Sequence, residues 1–182
     1  MGKSSKSIVV RFLSLLFAAI LVSTVMANPI TVEAKVKKKT LKTFSNLSND
    51  DPIYLDSIAH VVKPGHYRFK IKKRKNSGAF GIIRFKAPQE KAYSFTVTKV
   101  HANKKKTYAN GYFHILQKRM EPDGYLYSER IADSGLFGSK NTGLARKKRS
   151  VDIACYQNTV MYVEFYVSAS RSNYVQFDFT IK

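Results

Sequence analysis

The chain has 182 residues and a formal net charge of +20 at pH 7, with 32 lysines and arginines against 12 aspartates and glutamates. Its single cysteine, Cys155, excludes a fold held together by internal disulfide bonds, because each bridge needs two cysteines. The length suits one domain with its own hydrophobic core, and the charge bears on partners and solubility rather than on the fold.

The first 27 residues have the pattern of a secretory signal peptide. A basic start precedes an apolar run over residues 12–22 and a small-x-small exit at residues 25–27. We therefore predict cleavage before Asn28, with cleavage before Lys35 as the alternative, and a protein that is secreted or associated with the cell wall. The apolar run is short for a membrane span, and an uncleaved signal anchor is the alternative.

Residues 28–51 show no hydrophobic period and are rich in lysine, which predicts a flexible basic arm. The lysines of this stretch are Lys35, Lys37, Lys38, Lys39 and Lys42.

Residues 52–182 are predicted to form one domain made of short strands. Apolar and polar residues alternate most clearly at residues 67–72, 93–98 and 160–167, with turn signals between the segments. Residues 57–62 are a weaker strand candidate, and no segment indicates a convincing helix. About eight to nine strands at this spacing predict an all-β fold, an antiparallel and jelly-roll-like β-sandwich.

The last two predicted strands have apolar faces that suggest an antiparallel hairpin. Pairing Val167 with Val175 sets Phe165 opposite Phe177, with both rings in the core. We therefore expect Phe177 to be buried between the sheets.

The same register sets Glu164 opposite Asp178 on the outer face, with Cβ atoms about 5 Å apart. Two carboxylates at that spacing are typical of a retaining glycosidase, and they can also hold a hard cation such as calcium. The simpler interpretation, which we favour, is that a basic side chain from a neighbouring strand lies between them. The histidines show no metal-ligand spacing, so we expect no catalytic residue, no metal site and no cofactor.

Three tyrosines, Tyr162, Tyr166 and Tyr174, are also predicted on the outer face of this hairpin. A row of exposed rings could stack on sugars, and the alternative is that tyrosine is simply a favoured strand residue.

Three basic clusters in predicted loops are the strongest functional signal. If successive strands reverse direction, the three loops and the exit of the basic arm lie at one end of the sandwich, which we call the cationic pole. Its predicted binding residues are Lys73, Arg74, Lys75, Lys104, Lys105, Lys106, Arg146, Lys147, Lys148 and Arg149.

Strand and turn patterns at residues 63–69, 93–97 and 160–181 carry a family resemblance. From Val62 onward the chain resembles the small secreted bacterial β-sandwiches related to pre-peptidase C-terminal modules. The resemblance implies a jelly-roll-like domain used for binding or as an accessory, without catalysis.

The sequence thus predicts a secreted, non-catalytic module that binds an anionic cell-envelope or extracellular polymer through the cationic pole. The expected partner is an anionic wall polymer or an acidic polysaccharide, with an anionic membrane surface as a further alternative and nucleic acid not expected. Two other functions stay open: a carbohydrate-binding module using the outward tyrosines, and a small polysaccharide-acting enzyme built on Glu164 and Asp178.

Overall fold

The computed structural model describes residues 35–45, 51–104 and 106–182. The predicted signal peptide and Lys105 of the second basic cluster lie outside the described residues. The described part of the chain contains eleven strands and one helix, α1 (Pro52–Ile58). The strands are β1 (Lys37–Leu41), β2 (His60–Val62), β3 (Gly65–Lys72), β4 (Gly78–Lys86), β5 (Lys91–Ala102), β6 (Ala109–Met120), β7 (Leu126–Asp133), β8 (Phe137–Gly138), β9 (Arg149–Cys155), β10 (Val160–Ala169) and β11 (Tyr174–Ile181).

The strands form two mixed sheets that pack as a sandwich. Sheet A has the order β1-β3-β11-β5-β9, and sheet B has the order β2-β4-β10-β6-β7, with β8 paired to β6. The predicted all-β sandwich is therefore confirmed. The edge strands β1 and β2 differ from the antiparallel prediction, because each pairs in parallel with its neighbour, β3 and β4 respectively.

Every second residue of the long strands points into the core between the sheets, and the largest fully buried side chains there are mostly aromatic. The Phe165 ring lies 5.0 Å from the Phe177 ring and 4.9 Å from the Phe179 ring, centroid to centroid. Cys155 belongs to the same core at 6% exposure, and burial raises the pKa of its thiol. The predicted burial of Phe177 is confirmed.

The predicted hairpin between the last two strands is wrong. β10 lies in sheet B between β4 and β6, whereas β11 lies in sheet A between β3 and β5. Phe165 and Phe177 do meet, but they meet across the sandwich rather than along one sheet. The apolar faces alone do not distinguish the two arrangements, because both point the same residues into the core. Residues 170–173 cross from one sheet to the other, a gap of about 10 Å.

Helix α1 is a second correction, because the sequence predicts no helix. Of the weak strand predicted at residues 57–62, His60–Val62 form β2, whereas residues 57 and 58 belong to the helix. Asp51 caps the helix by accepting a 2.8 Å hydrogen bond from the backbone N–H of Ile53, and Pro52 occupies the first turn. Leu55 and Ile58 pack the helix on the outer face of sheet B. No helix in the described ranges has the length and apolarity needed to cross a membrane.

The predicted flexible arm is corrected over Lys37–Leu41, which form β1. The strand pairs with β3 from Lys37 beside Tyr67 to Leu41 beside Ile71. Leu41 is 2% exposed and joins the core, so one apolar residue anchors an otherwise basic strand.

Candidate functional site

Loops that carry the first two basic clusters meet at one end of the sandwich. The backbone N–H of Lys73 donates to the carbonyl of Asn173 over 2.8 Å, and that of Asn103 donates to Ser172 Oγ over 3.3 Å. The Ser172 hydroxyl also donates to the side-chain carbonyl of Asn103. Residues 73–77, 103–104 and 170–173 are thereby held together. The exposed cations at this end, among the described residues of the three loops, are Arg74, Lys75, Lys104, Lys106 and Arg171.

Lys73 does not belong to the exposed surface, contrary to the prediction. Its side chain is buried at the same end, where Nζ donates to the carbonyl of Arg74 over 2.9 Å and to that of Ser172 over 3.1 Å. Burial lowers the pKa of this ammonium group. Lys73 therefore supports the loops from within.

In the third cluster, the guanidinium groups of the arginines donate hydrogen bonds to backbone carbonyls of their own loop. Arg146 Nη1 donates to the carbonyl of Thr142 over 2.7 Å, and Arg149 Nη2 donates to that of Leu144 over 2.7 Å. The loop is tied to the start of β6, because the N–H of Ser139 donates to the carbonyl of Ala109. Lys147 and Lys148 are exposed beside these arginines.

Pairing of β1 with β3 creates a basic surface that the loops alone did not predict. Lys38 lies beside Arg68 and Thr40 lies beside Lys70, whereas Lys37 and Lys39 lie beside the buried residues Tyr67 and Phe69. The side chains of Lys38, Lys39, Arg68 and Lys70 line one recess. We call this surface the basic edge. Its members are Lys37, Lys38, Lys39, Lys42, Lys70, Lys72, Arg74 and Lys75.

Asp178 is the acid of β11, next to the basic edge, and β1, β3 and residues 73–77 contain none. Its carboxylate is 1% exposed and accepts two hydrogen bonds from Arg68, at 2.6 Å from Nε and 3.0 Å from Nη2. His66 Nε2 lies 3.5 Å away and Lys99 Nζ lies 3.7 Å away. The charge of Asp178 is therefore neutralised by Arg68, with His66 and Lys99 nearby, and not by the lysines of the basic edge.

Glu164 and Asp178 are not a pair, which corrects the predicted carboxylate arrangement. Both side chains point away from the core, but Glu164 lies on the outer face of sheet B and Asp178 on that of sheet A. The glycosidase-like and calcium-binding alternatives that needed this pair are removed with it. Among the described residues, no three His, Cys, Asp or Glu side chains cluster as metal ligands would.

The predicted row of outer tyrosines is also corrected. Tyr162 is fully buried under α1, where its hydroxyl donates to Asp56 Oδ1 over 2.8 Å, and both burial and this contact raise its pKa. Tyr174 lies on the outer face of the other sheet, with Lys70 Nζ 4.4 Å from its ring centroid. Tyr166 alone of the three lies in an aromatic group on sheet B.

That aromatic group spans three neighbouring strands of sheet B beyond the end of α1. The Tyr166 ring lies 5.0 Å from Phe80 and 5.1 Å from Tyr112, and Tyr112 stacks on His114 at 4.7 Å. A groove of about 640 Å³ lies beside Tyr166 and is lined in part by Lys72 and Arg74 of the basic edge. Its lining residues are Thr43, Phe44, Ser45, Lys72, Lys73, Arg74, Ser77, Gly78, Ala79 and Tyr166.

Comparisons with known proteins give no family. No family model matches the chain, and no curated protein matches it. A similar solved structure is that of CorA from Methylomicrobium album BG8, described as a surface-associated copper-binding protein important in copper acquisition. That match covers 68% of this chain and 98% of that chain, at 6% identity and a TM-score of 0.36. A likeness this distant says nothing about the ligand of this chain, and the resemblance to pre-peptidase C-terminal modules stays a prediction.

The pKa of Asp178 predicts how stability responds to acid. Burial raises this pKa, but the hydrogen bonds and charge of Arg68, with the charges of His66 and Lys99, lower it by more, so it lies below its ordinary value. A lowered carboxyl pKa stabilises the folded state above the unfolded-state pKa of about 3.9, and this stability is lost as the pH falls through the folded-state pKa.

We expect a steady melting temperature from pH 7 to about pH 5 and a fall below about pH 4, measured by circular dichroism. Asp178→Asn removes this titration, so its melting temperature should fall less steeply in acid than that of the parent. Burial raises the pKa of Asp56, but hydrogen bonds from Lys118 and Tyr162 and the charges of Arg84 and Lys118 together lower it by more. Because Asp56 is present in both proteins, it does not contribute to the difference between them. Parallel curves for the two proteins would contradict the assignment.

Proposed function

We propose that this chain is a secreted, non-catalytic binding module that contacts an anionic polymer through its basic edge and the exposed lysines of the adjoining loops. The observation that carries the proposal is the parallel pairing of β1 with β3. It sets Lys38 beside Arg68 and Thr40 beside Lys70, and Lys38, Lys39 and Lys70 line one recess of the surface. Two lysine runs that are distant in the chain thereby form one surface.

The geometry of a sheet edge suits a polymer better than a small ion. Neighbouring strands lie about 4.8 Å apart, and residues on the same face of one strand are about 7 Å apart. Several ammonium groups spaced in this way meet successive charges of a flexible chain, and each contact releases counterions. Binding through many exposed charges depends steeply on salt, because the Debye length is only about 8 Å at physiological ionic strength.

The predicted signal peptide supports a location outside the cytoplasm, where wall polymers and acidic polysaccharides are the abundant polyanions. In this proposal Lys104 and Lys106 extend the surface beyond the basic edge. Lys147 and Lys148 precede β9, at the opposite edge of sheet A, and provide further contacts for a long polymer.

The test compares two variants of equal net charge. In the edge variant Lys38, Lys39, Lys70, Lys72, Arg74 and Lys75 are changed to glutamine. In the control the same change is made at six exposed positions: Lys63, Lys86, Lys91, Arg119, Arg130 and Lys182. Binding to labelled polygalacturonate and to inorganic polyphosphate is measured by fluorescence anisotropy at two salt concentrations.

We expect the edge variant to lose at least tenfold in affinity for both polymers, and the control to lose less than threefold. Both variants should melt close to the parent, because exposed charges contribute about 0–1 kcal/mol each to stability. Equal losses in the two variants would contradict the proposal and show that net charge acts diffusely. A parent that binds neither polymer would contradict it as well.

A further inference from the structure

The groove beside Tyr166 joins aromatic rings to the cations of the basic edge. Its volume of about 640 Å³ lies within the range of about 300–1,000 Å³ that is usual for small-molecule sites. Its lining contains two aromatic rings, three basic side chains and four hydroxyl groups, counting that of Tyr166, and no acid. A ligand that suits this lining has an apolar face, a negative charge and polar groups that can hydrogen-bond to hydroxyls.

Tyr166 is held in a fixed orientation at this groove. Its ring is flanked by Phe80 at 5.0 Å and by Tyr112 at 5.1 Å. It also lies over Gly78, where an added Cβ atom would come 2.2 Å from the tyrosine hydroxyl oxygen. Any larger residue at position 78 would displace the ring. A ring that is already ordered loses little entropy when a ligand packs on it.

Phe44 brings the second ring to the groove from the segment after β1. Its backbone forms a bridge with Phe80, with N–O distances of 3.0 Å and 2.8 Å in the two directions. Lys42 Nζ lies 5.4 Å from the centroid of the Phe44 ring. The aromatic surface and the positive charge are therefore contiguous.

We propose that this groove binds a sugar ring that carries a negative charge, so that the polymer bound at the basic edge is an acidic polysaccharide. The inference rests on the proposed function and narrows it from polyanions in general to one chemical class. The C–H face of a pyranose packs on the electron-rich face of an aromatic ring, and its anionic substituent faces Lys72 and Arg74. The hydroxyls of Thr43 and Ser45 are placed to exchange hydrogen bonds with sugar hydroxyls.

Three probes distinguish the contribution of the sugar ring to binding from the contribution of its negative charge. They are a hexamer of galacturonic acid, the same hexamer with its carboxyl groups reduced to alcohols, and inorganic polyphosphate of matched charge. The variant is Tyr166→Leu, with Tyr125→Leu as control because Tyr125 is 66% exposed at another loop. Affinities are measured by calorimetry at one salt concentration.

We expect Tyr166→Leu to lower the affinity for the galacturonate hexamer at least fivefold. Its affinity for polyphosphate should stay within twofold of that of the parent. Tyr125→Leu should change neither affinity, and the reduced hexamer should bind the parent at least tenfold more weakly than the charged one. If Tyr166→Leu affects hexamer and polyphosphate alike, or affects neither, the sugar subsite is wrong while the proposed function stands. If the reduced hexamer binds as tightly as the charged one, the role given to Lys72 and Arg74 is wrong. If the parent binds no probe, the proposed function itself fails.

Tyr166 packs against two rings, so its replacement can disturb the fold. A second variant therefore tests the same groove independently. Phe44→Ala removes the other ring from a position that is only half-buried, and it should give the same selective loss. Saturation transfer from aromatic protons to the sugar-ring protons should be seen with the parent and galacturonate, and should be reduced in either variant. Undiminished transfer in both variants would overturn the proposal.

Discussion

Phe177→Ala is expected to lower the free energy of unfolding by about 3–5 kcal/mol, the usual range for a buried aromatic ring truncated to alanine. Phe177 is fully buried on β11, and its ring lies 5.0 Å from Phe165, 5.8 Å from Phe137 and 6.0 Å from Phe69. Truncation removes these contacts and leaves a cavity between two sheets that cannot move together without disturbing neighbouring rings. Urea denaturation followed by circular dichroism measures the change.

The matched control for this prediction is Tyr156→Ala, which truncates an aromatic residue that is 75% exposed. Its free energy of unfolding should stay within about 0.5 kcal/mol of the parent. If the two variants unfold at similar urea concentrations, Phe177 does not lie between the sheets as described.

Arg68→Met is expected to destabilise the fold by about 3 kcal/mol, the lower end of the range for removing one partner of a buried ion pair. The variant leaves the Asp178 carboxylate 1% exposed and without its two hydrogen bonds from the guanidinium group. His66 and Lys99 stay within 4 Å and offset part of the loss, which is why the lower end is expected. Chemical denaturation at pH 7 measures it.

A surface pair of the same chemistry provides the control. Arg119 Nε lies 3.0 Å from Glu129 Oε2, with both side chains about half exposed, at 43% and 51%. Arg119→Met should cost at most about 1 kcal/mol, because exposed pairs contribute little. Equal losses at positions 68 and 119 would mean that the burial of Asp178 has no energetic consequence.

The sequence predicts most strands correctly, because the alternation of apolar residues reports directly which side chains face the core. It does not report which strands are neighbours. For β10 and β11 the alternation is satisfied equally by a hairpin and by packing across the sandwich, and the choice depends on the rest of the sheet. Helix α1 was within reach of the sequence, since Asp51 and Pro52 are a capping residue and a first-turn proline.

The candidate site was predicted only in part. The lysines of residues 73–75 and 104–106 were recognised as loop cations, and the loops that carry them do meet. The basic edge was missed because the lysines of β1 show no strand period of their own, and their pairing with β3 is set by one buried residue, Leu41. The groove draws residues from the segment after β1, from the loop before β4 and from β10, a combination that only the tertiary structure brings together.

The position of β10 and β11 has a consequence for synthesis. Each is the middle strand of its sheet, with paired neighbours on both sides that precede it in the chain. A ribosome that has made only the first 159 residues has therefore produced two half-sheets with a vacant central slot in each. We therefore expect both sheets to be completed only after the last two strands have been synthesised, so that folding of the sandwich follows nearly complete translation.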